Sequence, residues 1–295
     1  MSELELRPTL DDLPAVGERG NINDMPELPE MFSLANQMNA ELVGRKIQRV
    51  EVRQPKCLNV PVDEFLKLIQ GRTICDVTSK GKWIIAALEP GAYFLLSLGM
   101  GGEVLWHKEG EALPEKYQLR FDFKDHSRLS IHFWWFGYAH AVSADELGNH
   151  KMTASLGLTP LRDAAFTPEH LEGLLKGSKG TIKSFLMNQK NIAGIGNVYV
   201  QDILFQVGLH PNCRIPDISP EKCQELYEAI IEQLTRAMKL GGLYLEKDLY
   251  GKPGRFNDFR IGYKQGKQCP VCGTPIEKIK TGSTASYICP KCQRM

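Results

Sequence analysis

Four of the chain's eight cysteines fall in two pairs near its C-terminus, CPVC at 269–272 and CPKC at 289–292, with 16 residues between them. Two knuckles of this kind bring four thiolates to one tetrahedral zinc ion. Four sulfurs close the coordination sphere and leave no place for a reacting water. A zinc held by Cys269, Cys272, Cys289 and Cys292 is therefore structural. A redox reading of the CxxC pairs needs a thioredoxin-like context, which is absent. The second stretch is GIGNVY at 194–199, two glycines and Asn197 directly before an apolar-periodic segment. Glycines allow close backbone approach, and the amides of a helix start favour an anion such as phosphate. Lys183 and Lys190 lie just upstream. Taken alone, the turn is a weak signal, open to phosphate binding or to simple capping of a helix with Asn197 as the cap. The third stretch is MPELPEM at 25–31, which reads like the start of a protein although 24 residues precede it. Initiator methionine is readily trimmed before proline, leaving a secondary amine with a pKa of about 8. Part of that amine is unprotonated near neutrality and can act as a nucleophile.

These residues need elements to position them. Leu28, Met31, Leu34, Ala35, Met38 and Leu42 recur at helical spacing, and Gly44 closes that helix. From about 46 to 142 the pattern changes to short strands: RTICDVTS, KWIIAALE, AYFLLSLG, YQLRFDF and RLSIHFWW, divided by turn signals such as EPGA and KDHS. Strands at this spacing predict a β-sandwich or barrel. Beyond about 150 the pattern is helical. Thr167 and Pro168 open one helix as N-cap and first residue. TIKSFLMNQ is a second, NVYVQDILFQV a third stopped by Gly208, and Ser219-Pro220 opens a long fourth that ends at Gly241-Gly242. Residues 243–266 read as loop. The remaining cysteines, Cys57, Cys75, Cys213 and Cys223, read as small core residues.

Composition is that of an ordinary globular protein, 42% hydrophobic and 24% charged. No run of about 18 apolar residues is present to span a membrane, and the first 24 residues lack a signal peptide's pattern. A cytosolic, reducing setting is expected. The net charge of +1 hides a division: residues 1–24 carry −4, so the rest carries +5. A mildly basic body permits nucleic-acid binding without requiring it.

The stretches occur in one fixed order: MPELPE, GKW at 81–83, LGMGG at 98–102, FG at 136–137, IK and LM within 182–187, GIGNVY, GLHP at 208–211, GKPG at 251–254, and the paired cysteines. That order resembles the formamidopyrimidine-DNA glycosylase and endonuclease VIII family of bifunctional base-excision repair enzymes, over about 25–295. The resemblance implies an α+β multidomain protein. Residues 1–24 are a disordered leader or a mis-assigned start. Residues 25–150 form a β-sandwich catalytic domain flanked by helices, 151–264 a helix–two-turns–helix domain, and 265–295 a zinc ribbon. It further implies removal of oxidised bases of the formamidopyrimidine or 8-oxoguanine type from duplex DNA by a monomer, followed by strand cleavage at the abasic site. Pro26 would be the nucleophile at the sugar C1′, Glu27 the general acid/base, and Lys82 the cation beside the backbone phosphate. Lys183 and Asn197 would grip phosphates. Met100 and Phe136 match the wedges that fill the gap left by the extruded nucleotide. The location implied is cytoplasmic, or nucleoid-associated in a bacterium.

Three departures from the family's pattern stand out. With the leader attached, the Pro26 nitrogen is a tertiary amide with no available lone pair, so translation from Met25 and methionine removal are expected. The family's arginine-rich turn before Phe-Gly is Phe133-Trp134-Trp135-Phe136-Gly137 here. Trp134 could stack on the base opposite the lesion but cannot reproduce bidentate hydrogen bonding. Alternatively, one of the two tryptophans packs in the core. The family's zinc-ribbon arginine falls at Thr284, whose hydroxyl, or that of Ser283, would replace a charge on the phosphate. Lys278, Lys280 and Lys291 could compensate electrostatically. Three alternatives stay open: a damaged-DNA-binding protein that does not cut, a zinc-ribbon scaffold without lesion chemistry, and an endonuclease VIII-like glycosylase for oxidised pyrimidines.

Overall fold

The apolar stripe from 28 to 42 does form one helix, α1 (Leu28–Leu42), in the computed structural model, which describes residues 25–295. The leader read over 1–24 lies outside the described residues. Glu30 reaches back to accept the Glu27 amide at 2.8 Å and so fixes the first turn of α1. Met31, Leu34 and Met38 are buried, each contributing about 1.5–3 kcal/mol relative to exposure.

Two four-stranded antiparallel sheets follow. One is ordered β1 (Ile47–Val52), β6 (Leu119–Phe123), β7 (Arg128–His132), β5 (Glu103–His107). The other is ordered β2 (Thr73–Lys80), β3 (Trp83–Glu89), β4 (Ala92–Ser97), β8 (Tyr138–Ser143). Leu96, Phe94, Phe121 and Ile131 join α1 in the sandwich core. A helix missed by the sequence reading, α2 (Val62–Ile69), contacts β4 and β8 of one sheet and β1 of the other, with Phe65 and Ile69 fully buried. RLSIHFWW is strand only to His132; the aromatic run beyond it is a crossover between sheets. Cys57 and Cys223 are buried as expected, but Cys75 is exposed and Cys213 half-buried.

The helical half comprises α3 (Pro168–Lys176), α4 (Ile182–Met187), α5 (Asn197–Val207) and α6 (Pro220–Lys239). Thr167 caps α3 by accepting the His170 amide, and Gly208 ends α5 in the left-handed conformation. The ribbon hairpin, β9 (Glu277–Thr281) and β10 (Thr284–Ile288), leans on α5. Gln201 ties it there, donating to the Ala285 carbonyl and accepting from the Tyr287 amide.

The halves interlock by exchanging side chains. Leu28, at the start of α1, belongs to the helical core. Leu249, from the strap after α6, is 0% exposed within the sandwich core. Gln37 holds the strap, donating to Asp248 and accepting the Leu249 amide, and Leu249's carbonyl accepts from Trp106. Residues 26–28 therefore lie at the seam.

Candidate active site

Three backbone turns converge on Glu27. The first is the start of α1 itself. The second is the two-residue turn Gly81-Lys82 between β2 and β3. The third is the glycine turn 194–196 before α5. Leu28 donates to the Gly194 carbonyl at 3.0 Å, which locks the first turn to the third. A Cβ at Gly196 would displace both Lys82 Nζ and the Glu27 carboxylate from their present positions.

The buried Glu27 carboxylate accepts the Gly196 amide at 2.7 Å and the Val198 amide at 2.9 Å. Lys82 Nζ stands 4.0 Å from Glu27 Oε1. The α5 N-terminus is thus an anion site, as its sequence predicts, but the anion it holds is Glu27. Asn197 is not the cap. Gly196 takes that position, and the Asn197 side chain accepts from Gln201 Nε2 at 3.0 Å. Pro26 is buried immediately beside Glu27.

Glu30 is the residue the sequence reading missed. Its carboxyl is buried and accepts from the Glu27 amide, the Leu243 amide at 2.8 Å and the Tyr199 hydroxyl. Burial pushes this carboxyl upward from its ordinary range, against hydrogen bonds that pull it down. One side chain thus pins the start of α1 to α5 and to the turn after α6. The signal was available in the spacing of Glu27 and Glu30 at a helix start.

Sheet register places the other predicted residues at the same end of the sandwich. Ile84 pairs with Leu96, and Leu96 with Ala139, so the Lys82 turn, the exit of β4 and the entrance of β8 are neighbours. Two strand spacings, about 10 Å, separate β3 from β8. Trp83 stacks on Tyr138 at 6.0 Å between ring centres. The crossovers β4→β5 and β7→β8 leave adjacent strands for adjacent strands and run side by side. The Met100 amide donates to the Trp135 carbonyl at 2.9 Å. Gly99, at φ +64°, has no room for a Cβ against that carbonyl. Met100 is half-buried, while Trp134, Trp135 and Phe136 are 74%, 54% and 66% exposed. Neither tryptophan packs in the core.

Two predicted phosphate contacts lie at the ribbon. Lys183 is 3% exposed. Its ammonium donates into the hairpin, with Thr281 Oγ1 at 3.1 Å, Thr284 Oγ1 at 2.9 Å, the Ala285 carbonyl at 2.7 Å and Ser286 Oγ at 2.8 Å. Half-buried Thr284 accepts from Lys183 and donates to the Thr281 carbonyl. Ser283, Lys278, Lys280 and Lys291 are exposed around it.

The sulfurs of Cys269, Cys272, Cys289 and Cys292 lie within 4.8 Å of one another. Measured pairs are 3.9 Å for Cys269–Cys292 and 3.4 Å for Cys272–Cys289. Zinc–sulfur bonds of about 2.3 Å require sulfurs about 3.8 Å apart in a tetrahedron, so the four fit that ion.

Comparison with known proteins bears on the same regions. The family model for the formamidopyrimidine-DNA glycosylase N-terminal domain matches residues 25–133. The model for that enzyme's H2TH domain matches 156–248, and that for a zinc finger found in FPG and IleRS matches 266–294. A formamidopyrimidine-DNA glycosylase of Photobacterium profundum is 33% identical over 284 residues, covering 92% of this chain and 100% of the relative. One of Bacillus cereus is 32% identical over 276 residues, covering 91% and 99%. Among solved structures, Lactococcus lactis Fpg in complex with DNA containing N7-benzyl-Fapy-dG matches with a TM-score of 0.83 at 27% identity, covering 92% of this chain and 100% of that one. The same enzyme with DNA containing an abasic site also gives 0.83 at 27%, covering 91% and 100%.

Proposed function

The chain belongs to the formamidopyrimidine-DNA glycosylase family, and on that premise we propose that it is a base-excision glycosylase with abasic-site lyase activity, taking oxidised purines of the formamidopyrimidine and 8-oxoguanine type from duplex DNA. The observation that carries this reading is the seam itself. Residue 26, the Glu27 carboxylate, the Lys82 ammonium and the α5 N-terminus meet where the two halves interlock.

In the reaction the Pro26 amine forms a bond to C1′ and the glycosidic bond breaks, its electron pair leaving with the base, which is protonated. The Glu27 carboxylate takes the N–H proton that the attacking amine sheds and passes it to O4′ as the sugar opens, which gives an iminium. The iminium acidifies C2′. Loss of that proton expels the 3′-phosphate by elimination, and water releases the sugar fragment from the amine. Lys82 holds the backbone phosphate near the lesion. Met100 and Phe136 fill the vacated stack, Trp134 meets the opposite base, and Asn197 contacts a phosphate. The working units are 25–150, 151–264 and 265–295, acting as a monomer on cytoplasmic or nucleoid DNA. Among the described residues no helix is long and apolar enough to cross a membrane.

Glu27→Gln preserves shape and removes the acid. Single-turnover excision of 8-oxoguanine is expected to slow by roughly 10²–10⁴-fold, with binding to an uncleavable abasic duplex changed less than threefold by the mutation. Equal loss from both measurements would make Glu27 a scaffold residue. Preference for an oxidised pyrimidine over 8-oxoguanine in the wild-type chain would move the enzyme to the other branch of the family.

The four cysteines hold a single structural zinc in this reading. Metal analysis is expected to return one zinc per chain, lost in Cys289→Ser together with at least tenfold in duplex affinity, because contacts from the ribbon to phosphate need an ordered hairpin. A zinc-free protein with undiminished affinity would refute the assignment.

A further inference from the structure

The loop 133–137 is built to present aromatic rings. Phe133 is buried, and Gln118 clamps it from both sides, its Oε1 accepting the Phe133 amide at 2.7 Å and its Nε2 donating to the Phe133 carbonyl at 3.0 Å. Trp135 is fixed through its carbonyl to the Met100 amide. Phe136 adopts φ +60°, a conformation that bulky residues rarely take without cause. Between these anchors Trp134, Trp135 and Phe136 all point into water. The Trp135 and Phe136 rings stand edge to face, 5.5 Å apart at 90°. Three exposed aromatic rings on an anchored loop, Trp134 against His132 and Trp135 against Phe136, mark a binding surface. No guanidinium occurs from His132 to Gly137.

We propose that Trp134, Trp135 and Phe136 form a stacking platform for the strand opposite the lesion, so that the enzyme accepts any of the four bases there. The proposal rests on the glycosylase reading above. Its occupant follows from continuity: the platform is hydrogen-bonded to the Met100 turn, at the same end of the sandwich as Lys82. Indole offers one donor and a broad π-face. Every base has a π-face, so stacking holds a base without identifying it. Identification needs paired donors or acceptors on the base edge, which this loop lacks. Trp135 and Phe136 extend the platform to the neighbouring base step, and the Met100 bond keeps it in register with the wedge.

The test uses the chain begun at Pro26 and duplexes carrying a tetrahydrofuran abasic analogue opposite C, A, G or T, with an undamaged duplex as reference. Affinity is read by anisotropy and indole fluorescence is recorded during titration. Expected are affinities within threefold across the four opposite bases and quenching of tryptophan emission. Trp134→Ala and Trp135→Ala are each expected to bind roughly tenfold more weakly, with unchanged melting temperature. A tenfold preference for one opposite base, or alanine variants that bind like wild type, would overturn the platform while the glycosylase reading survives. No preference for the abasic over the undamaged duplex would overturn both. A dimer of the free protein that Trp134→Ala dissolves would give the patch a different occupant and also overturn it.

Discussion

A chain that begins at Pro26 is expected to become covalently trapped on abasic or 8-oxoguanine duplex DNA by borohydride, and the 295-residue chain with residues 1–25 attached is not. The reason lies in one nitrogen. A free proline is a secondary amine with a pKa of about 8; acylated by residue 25, it becomes a tertiary amide that neither attacks C1′ nor forms an iminium. The match to the glycosylase N-terminal domain begins at residue 25, and Pro26 lies buried beside Glu27. The comparison needs two proteins, the full chain and one started at Met25 with methionine removal verified by intact mass. Trapping of both, with the long form still intact by mass, would transfer the nucleophile to a lysine such as Lys82. Trapping of neither, with damaged-duplex binding retained, would make the protein a binder that does not cut.

What the sequence conveyed about this seam divides by the range of the interaction. Local signals held: the apolar period of 28–42, Thr167 before Pro168, Gly208 after α5, and cysteine pairs that gather into one cluster. Each is decided within a few residues by helix periodicity, capping or ligand reach. What was illegible was decided across the chain. The Gly196 and Val198 amides went to Glu27, 169 and 171 residues away. Nothing in either segment names the other. FWW extends the apolar alternation of β7, so its period reads as strand. Only the crossing from one sheet to the other turns the two indoles outward while Phe133 stays buried. Glu30 has the look of a surface acid on a helix, yet it became the buried tie between α1, Tyr199 and Leu243. A carboxylate's destination depends on which donors the fold delivers, and pattern alone does not carry that.

Lys183→Met is expected to loosen the ribbon rather than merely weaken a phosphate contact. A lysine upstream of a glycine turn suggests an exposed cation, but here four oxygens from 281–286 surround its ammonium within 3.1 Å. Burying a charge this deeply is tolerable only when its hydrogen bonds are made. Methionine fills similar space and makes none of them, leaving the Ala285 carbonyl with Gln201 as its side-chain donor and the Thr284 hydroxyl without the ammonium. Thr281 and Ser286 can still pair with each other, which recovers part of the loss. Charge-assisted bonds to an ammonium are worth about 1.5–3 kcal/mol each. Relief of the lysine's own desolvation offsets some of that, leaving a net destabilisation of about 3 kcal/mol. A melting temperature lower by roughly 5 °C follows for a protein of this size. Faster amide exchange is expected at Tyr287, whose N–H bonds to Gln201 across the same interface. The phosphate-gripping alternative makes the opposite prediction: an unchanged melting temperature, uniformly weaker duplex binding, and a salt dependence shallower by about one counterion. If that second pattern appears, Lys183 turns outward on binding and the hairpin does not depend on it. If the first appears, the lysine is a buried rivet between α4 and the zinc ribbon, and what affinity the ribbon supplies reaches DNA through the exposed Ser283, Lys278, Lys280 and Lys291.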